Sequence, residues 1–352
     1  PAVLGKHIRD GFQLFVDQQG GKLGGRDVEI IVADDELKPD VALTKVKGLL
    51  ERDKVDFVAG VVFSNILQAV YRPVTESGTF LIGANAGTST FAGKGCSPYF
   101  FSTSWQNDQI HAVMGKYAQD KGFKTAFLLT PNYQAGKDSV AGFKSQFKGK
   151  VVDEVYTKLG NLDFSAELAK IAAAKPDALF TFMPGGMGIN LVKQFRQAGL
   201  DKSVTFLSAF TVDGTTLPAT KDDAVGLYSA SQWTPDLDNA ANKAFVKAFE
   251  AKYGYVPSLY ASQGFDAAQL IDSGVKAVKG DVSDKKALQA ALEKADFASV
   301  RGAFKFNNNH FPIQDFYLVK AVKRADGKYA TSMVEKVFAN YGDTYASQCK
   351  MK

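Results

Sequence analysis

Short apolar segments of strand length alternate with helical segments along most of this chain, and the alternation occurs in two series. The first series has strand-like runs at 28–32, 55–62 and 80–84, with helical spacing at 6–19, 40–51, 65–76 and 106–120. The second has strand-like runs at 126–129, 151–157, 178–182 and 204–208, with helical spacing at 136–147, 165–174 and 188–198. Such alternation is typical of parallel sheets covered by helices on both faces. The sequence therefore predicts two doubly wound α/β lobes.

The length of 352 residues also favours two lobes, because single hydrophobic cores stop growing near ~250–300 residues. After residue 235 the rhythm changes to helices at 239–253, 260–278 and 284–293, followed by strands at 303–306 and 316–322. A doubly wound lobe normally begins with a central strand, whereas residues 1–5 read as a loop. We expect the first strand of the first lobe to lie upstream of this sequence.

The sequence lacks the motifs that are typical of several classes of function. The three histidines, His7, His111 and His310, form no H-E-x-x-H or Cys/His cluster, so we predict neither a metal site nor a cofactor. Nucleophile-elbow and phosphate-loop motifs are absent, and the adjacent acids Asp34 and Asp35 fit a solvated or capping role better than catalysis. The net charge of +5 is spread along the chain, which argues against nucleic-acid binding. No run of ~18 apolar residues could span a membrane.

The two cysteines, Cys96 and Cys349, lie near opposite ends of the sequence. They are either two unrelated buried thiols or one disulfide across a long loop, which would fit an oxidising compartment. The sequence itself leaves both possibilities open.

Polar loops follow two neighbouring strands of the first series. Ser64 opens the helix after the strand at 55–62, and Asn85, Ala86 and Thr88 belong to the loop after the strand at 80–84. Ligands of open α/β sheets lie beyond the carboxyl ends of the strands, and helix N-termini with free amides bind anions. These loops predict an anion site, although helix caps and turns would produce the same residue types.

Taken in order along the chain, a set of short motifs resembles the Leu/Ile/Val-type (branched-chain amino-acid) periplasmic binding proteins of ABC transporters. The motifs are 1–5, Gly20–Gly21 with 23–26, Asp34–Asp35 with Pro39, 59–64, 100–105, Asn132–Tyr133 with Gly136, Asp163–Phe164, 176–178, 196–200 and 265–267. Members of this family begin one strand earlier, and that strand ends in a Ser-Gly-Pro turn. Pro1 resembles the proline of this turn.

The resemblance implies the type I periplasmic-binding-protein fold, with two Rossmann-like lobes joined by a three-segment hinge. We expect the N-terminal lobe to comprise 1–119 plus about 255–300 and the C-terminal lobe 120–250 plus about 301–338. The tail 339–352 would be tied back to the N-terminal lobe, since the resemblance favours the Cys96–Cys349 disulfide. The implied protein is a periplasmic monomer that closes around a small carboxylate and is recognised by a membrane permease.

The resemblance also implies individual site residues. Ser64 and the loop 85–88 would hold the ligand carboxylate, Tyr133 would close over the ligand, and Tyr260 and Trp105 would line it. Where the amino-acid binders place a glutamate for the ligand ammonium, this chain has Phe210, and a second tyrosine position falls at Pro184. A buried ammonium without a partner is costly. We therefore expect an aromatic acid of the benzoate, hydroxybenzoate or cinnamate type.

Two alternatives remain. Asp213, three residues after Phe210, could accept an amine, which would make the protein a branched-chain or other amino-acid binder. An enzyme or a ligand-sensing ectodomain on the same fold is the alternative from another class. The sequence shows no nucleophile–base pair, so we predict no catalytic residue and no enzymatic activity.

Overall fold

The first parallel sheet has three strands in this computed structural model, which describes residues 2–351 and therefore leaves the expectation for Pro1 untested. The elements up to residue 102 are α1 (Ala2–Gln18), β1 (Lys22–Leu23), β2 (Arg26–Asp27), α2 (Pro39–Glu51), β3 (Phe57–Gly60), α3 (Ser64–Glu76), β4 (Phe80–Gly83) and β5 (Phe100–Ser102). Strands β3, β4 and β5 pair in sequence order, while β1 and β2 form a separate antiparallel pair. The carboxyl ends of β3, β4 and β5 therefore lie at one edge of the sheet.

The second sheet has eight strands. Its elements, with the helices that return to the first sheet, are α4 (Asn107–Asp120), β6 (Thr125–Pro131), α5 (Gln134–Gln146), β7 (Lys150–Thr157), α6 (Ser165–Ala174), β8 (Ala178–Phe182), α7 (Gly186–Gln197), β9 (Thr205–Ala209), α8 (Leu217–Thr220), β10 (Tyr228–Ser231), α9 (Ala240–Tyr253), α10 (Leu259–Ala277), α11 (Lys285–Glu293), β11 (Lys305–Phe306), β12 (Pro312–Lys323) and β13 (Tyr329–Tyr341). The order β7-β6-β8-β9-β10 is parallel and doubly wound, and β11, β12 and β13 extend it antiparallel.

Helix α10 joins the late part of the chain to the first sheet by packing against α1. The two helices approach closely because glycines face the opposite backbone. A Cβ on Gly11 would lie 2.0 Å from the carbonyl oxygen of Ala261, and one on Gly264 would lie 2.0 Å from that of Ile8. Larger residues at either position would push the helices apart.

The predicted strand at 28–32 is not a strand in the structure. Ile31 and Val32 are 41% and 64% exposed, and an apolar groove of about 950 Å³ separates the segment from β3. A strand forms only where its backbone has a partner to pair with. Among residues 2–351 the segment has no pairing strand on the side facing β3.

A buried polar network crosses between the two sheets around Arg301. The Arg301 guanidinium pairs with Asp266 of α10 at 3.1 Å and donates to the Ser104 carbonyl at 3.0 Å and to the Gln314 side chain at 2.9 Å. Gln314 in turn donates to the Ser104 carbonyl at 2.6 Å. Burial lowers the pKa of Arg301, and the Asp266 charge opposes that change. Two of the chain segments that run between the sheets are therefore held together by one cation.

The tail, residues 339–352, is bonded back to the first lobe near its end. Strand β13 runs to Tyr341, and a short turn at Ala346–Gln348 follows it. Cys349 then forms a disulfide with Cys96 in the loop after β4. The disulfide that the resemblance favoured is present.

The helices α4 and α9 pack differently from the predicted division into lobes. Helix α4 lies against α5 and the strands β9, β10, β12 and β13 of the second sheet. Helix α9 packs on α1 and α10, with Phe245 4.8 Å from Phe265 between ring centroids. The boundaries at 119 and 250 stay a prediction, and this packing favours crossings nearer to 104 and 235.

We expect the double substitution Cys96→Ser/Cys349→Ser to lower the free energy of unfolding by up to about 5 kcal/mol, because the bridge closes a loop across 253 positions. Urea unfolding of the variant and of the oxidised protein measures the difference. The reduced wild-type protein should unfold like the variant. Equal midpoints for the oxidised protein and the variant would contradict a stabilising role.

We expect Arg301→Met to lower the free energy of unfolding by about 3–5 kcal/mol, because it leaves the buried Asp266 carboxylate without a counter-charge. The double variant Arg301→Met/Asp266→Leu should lose clearly less than the sum of the two single losses. Arg324→Met, which breaks a more exposed pair with Glu250, is the control and should cost about 1 kcal/mol or less. Additive losses at Arg301 and Asp266 would show that the pair is not coupled.

Candidate functional site

A small cavity lies where the carboxyl ends of the two sheets face each other. Seven of the eight predicted site residues line it, namely Ser64, Asn85, Ala86, Trp105, Tyr133, Phe210 and Tyr260. Eight further residues complete the lining, namely Leu4, Val62, Phe63, Asn107, His111, Ala135, Phe182 and Pro184. None of the lining residues within 2–351 carries a full charge at neutral pH.

The polar end of the cavity is the N-terminus of α3. Ser64 is the first residue of this 13-residue helix, so its amide and that of Asn65 have no partner within the helix. The Ser64 hydroxyl accepts a hydrogen bond from the Asn107 side chain at 3.2 Å, which leaves its own hydrogen free to donate. Amides, hydroxyl and helix dipole together favour an anion here.

Asn107 fixes the geometry of this anion subsite. Its side-chain oxygen accepts from the Gly87 amide and the Trp105 indole, each at 3.2 Å. Its nitrogen donates to Ser64 and, at 3.0 Å, to the carboxylate of Asp138 on α5. One side chain thus orients a residue from the end of each of the three strands of the first sheet.

The loop after β4 contributes less than the sequence predicts. The Ala86 amide already donates to the Val61 carbonyl at 3.1 Å, and the Asn85 side chain bonds Val62 at 2.6 Å and Gln263 at 3.1 Å. The Thr88 side chain does not line the cavity but caps the short turn Ser89–Phe91. The Asn85 amide, which donates to no acceptor within residues 2–351, is a group of this loop at the cavity that is left for a ligand.

Aromatic side chains form the rest of the wall. The Phe210 ring lies 4.6 Å from Trp105 and 6.3 Å from Tyr260 between centroids, and Tyr133 lies 6.2 Å from Phe63 and 6.1 Å from Phe182. Burial raises the pKa of Tyr133 and Tyr260, so both phenols stay neutral. The wall is therefore aromatic and uncharged.

Two strand ends at the cavity adopt strained backbone. Val61, directly after β3, has φ 67°, and Phe210, directly after β9, has φ 56°. Non-glycine residues adopt this left-handed region only where the surrounding structure imposes it, and such residues concentrate at functional sites. Each of them turns the chain sharply at the point where it enters the cavity wall.

Asp213, the alternative amine acceptor, lies outside the cavity lining. One carboxylate oxygen accepts from the Thr215 amide at 2.7 Å and from the Thr215 hydroxyl at 2.6 Å. The other oxygen is buried and has no partner within residues 2–351. Burial raises the pKa of Asp213, while the bonds from Thr215 lower it.

The cavity has a volume of about 20 Å³, the space of a single water molecule. Benzene requires a cavity of ~150 Å³. A ring can therefore enter only when the two sheets or the aromatic side chains move apart. The larger groove of about 950 Å³ lies at the edge of the first sheet and lacks the opposed strand ends.

Comparison with known proteins identifies the family. A sequence profile described as "Periplasmic binding protein" matches residues 1–328. The chain belongs to this family. The Leu/Ile/Val-binding protein homolog 6 of Brucella melitensis biotype 1 is 26% identical over 352 aligned positions, which cover 97% of this chain and 89% of the relative.

Two solved structures of ABC-transporter solute-binding proteins are similar over nearly the whole chain. One, from R. palustris in complex with benzoate, is 37% identical with a TM-score of 0.94, covering 99% of this chain and 96% of the other. Another, from Rhodopseudomonas palustris BisB5 in complex with 3,4-dihydroxybenzoic acid, is 31% identical with a TM-score of 0.90, covering 97% and 94%. This periplasmic binding protein therefore has the two-lobed type I fold that the sequence predicted. Among residues 2–351, no helix is both long and apolar enough to cross a bilayer.

Sequence reasoning did not identify Asn107, His111 or Phe182 as lining residues. Asn107 and His111 are buried polar residues one helical turn apart on α4, and Phe182 ends a predicted strand. Those positions are the signal that could have found them, because the carboxyl end of a strand and the polar face of a buried helix both point to a site.

Proposed function

We propose that this chain is the extracytoplasmic solute-binding receptor of an ABC importer and that it captures an aromatic carboxylate by lobe closure, without converting it. The observation that carries the proposal is a cavity with neutral donors at one end, aromatic rings around it and no charged side chain in its lining. A carboxylate gains hydrogen bonds at the N-terminus of α3, whereas an ammonium would find no counter-charge. The benzoate and dihydroxybenzoate bound by the two similar proteins support this ligand class.

We propose that the two lobes meet near residues 104, 235 and 302, and that closure is stabilised by contacts from both of them. Ser89, in the loop after β4, donates its amide at 3.1 Å and its hydroxyl at 2.7 Å to Asp138 on α5. A ligand that touches Ser64 on one side and Tyr133 on the other gains both contacts only in the closed form. This differential affinity shifts the population towards closure. A membrane permease that recognises the closed form completes the proposal.

Binding of an amino acid is the second candidate, and the unpartnered oxygen of Asp213 favours it. An ammonium near Tyr260 would need Asp213 to turn towards the cavity and abandon Thr215. The two candidates predict different ligands for the same protein.

The first experiment is a calorimetric titration of unfolded and refolded, ligand-free protein with 4-hydroxybenzoate, p-coumarate, benzoate and leucine. We expect micromolar binding of the aromatic acids, about −8 kcal/mol, and no heat with leucine. Binding of leucine alone would contradict the proposed ligand class and implicate Asp213.

We expect Ser64→Ala to weaken aromatic-acid binding by about 10-fold or more, because a hydrogen bond to a charged group contributes about 1.5–3 kcal/mol. Ser139→Ala is the matched control, since Ser139 is equally buried in a helix but bonds only the Gly136 carbonyl. Calorimetry of both variants with the same acid measures the effect. Equal affinity in Ser64→Ala and the wild-type protein would place the carboxylate elsewhere.

We expect Asp138→Ala to weaken binding by about 10-fold although Asp138 does not line the cavity, because the closed form loses the acceptor for Ser89 and Asn107. Calorimetry gives the affinity, and small-angle scattering should show a larger radius of gyration in the ligand-free variant than in the ligand-free wild-type protein. The exposed Asp153→Ala is the control. An unchanged affinity and radius would mean that the contact does not stabilise closure.

A further inference from the structure

His111 is a buried polar side chain in the cavity wall that the binding of a carboxylate does not require. It is the fifth residue of α4, is 1% exposed and lines the cavity. Its ring lies 5.1 Å from Phe182 and 5.8 Å from Phe210, edge to face in both cases. The imidazole therefore belongs to the aromatic wall, and the rings that it packs against are phenyl rings.

The imidazole of His111 lacks the hydrogen bonds that the other histidines make. Its Nδ1 atom is buried and has no hydrogen-bond partner within residues 2–351. By contrast, His7 pairs with Ser258 at 2.8 Å, and both ring nitrogens of His310 have partners at 2.9 Å. Buried polar groups are almost always satisfied, so an unsatisfied one at a ligand cavity points to a partner supplied by the ligand.

His111 is neutral, which decides the kind of group it can bind. Burial lowers its pKa to about 3, and no neighbouring charge contributes. A neutral imidazole donates one hydrogen bond and accepts one, and a hydroxyl does the same. It cannot supply the positive charge that would make it a preferred partner for the carboxylate.

The position of His111 along α4 gives its distance from the anion subsite. Asn107, whose side chain orients Ser64, lies four residues earlier on the same helix face. Four residues of helix rise by ~6 Å, which is about the length of a benzene ring with one substituent. A ring whose carboxylate lies at Ser64 would bring its far side towards His111.

We propose that His111 binds a hydroxyl on the ring and that the ligand is therefore a hydroxylated aromatic acid. This inference rests on the proposed function and narrows its ligand class. A cavity built to bond a hydroxyl discriminates against the analogue that lacks it, because the buried Nδ1 atom is then left unpaired.

The test compares benzoate, 3-hydroxybenzoate and 4-hydroxybenzoate by calorimetry in the wild-type protein and in His111→Leu. We expect the wild-type protein to bind one hydroxylated acid at least about 10-fold more tightly than benzoate, and His111→Leu to reduce this ratio of affinities to about one. Circular dichroism and thermal unfolding of His111→Leu are the control for folding. His111→Asn, which keeps an N–H near the position of Nδ1, should recover part of the preference.

A second measurement does not depend on a variant. In wild-type protein labelled with ¹⁵N-histidine, the imidazole nitrogen signals of His111 should shift much further on adding the preferred hydroxylated acid than on adding benzoate, because only the hydroxylated acid bonds a ring nitrogen. An equal loss of affinity for all three acids in His111→Leu, or no preference in the wild-type protein, would overturn the role of His111. Failure of all three acids to bind, with heat from leucine, would instead overturn the proposed function itself.

Discussion

The buried ion pair between Arg301 and Asp266 is the interaction on which the arrangement of the two sheets depends. Asp266 is fixed in α10, which packs through glycines against α1, while the Arg301 guanidinium reaches the carbonyl of Ser104 and the side chain of Gln314. Such a pair resists independent movement of its partners because separating them leaves a charge in the protein interior. The chain segments between the sheets are thus held together at Arg301, and we expect the parts of each lobe farther from Arg301 to move more.

The charged side chains hold the scaffold together, and the site itself is neutral. Charges are placed where they organise the scaffold, at Arg301, Asp266 and Asp138, and none lines the cavity among the described residues. An anion is instead met by oriented dipoles at the N-terminus of α3 and by the Ser64 hydroxyl. Dipoles that are already oriented need no counter-ion of their own in the ligand-free protein, so the cavity can stay apolar without an unpaired charge.

The sequence predicted the sheets and most cavity positions, because apolar runs of strand length place their following residues at a common edge. Ser64, Tyr133 and Phe210 lie together in the structure for that reason. It could not predict that the Ala86 amide and the Asn85 side chain are already bonded, since those partners are distant in sequence. The strand predicted at 28–32 was wrong, because its apolar residues fit a strand but pair with no other strand within residues 2–351. His111 was missed because a helical histidine among apolar residues resembles any core residue until its Nδ1 atom is seen to lack a partner.

The disulfide between Cys96 and Cys349 also governs the order in which the molecule can be completed. Cys96 lies in the loop after β4, whereas its partner Cys349 is synthesised 253 positions later. Helix α10, which packs against α1, is also synthesised late. Neither the bond nor the packing of α10 on α1 can form before these later segments have been synthesised. A nascent chain of this design therefore exposes parts of its first lobe, already made, until the C-terminal elements arrive to cover and cross-link them.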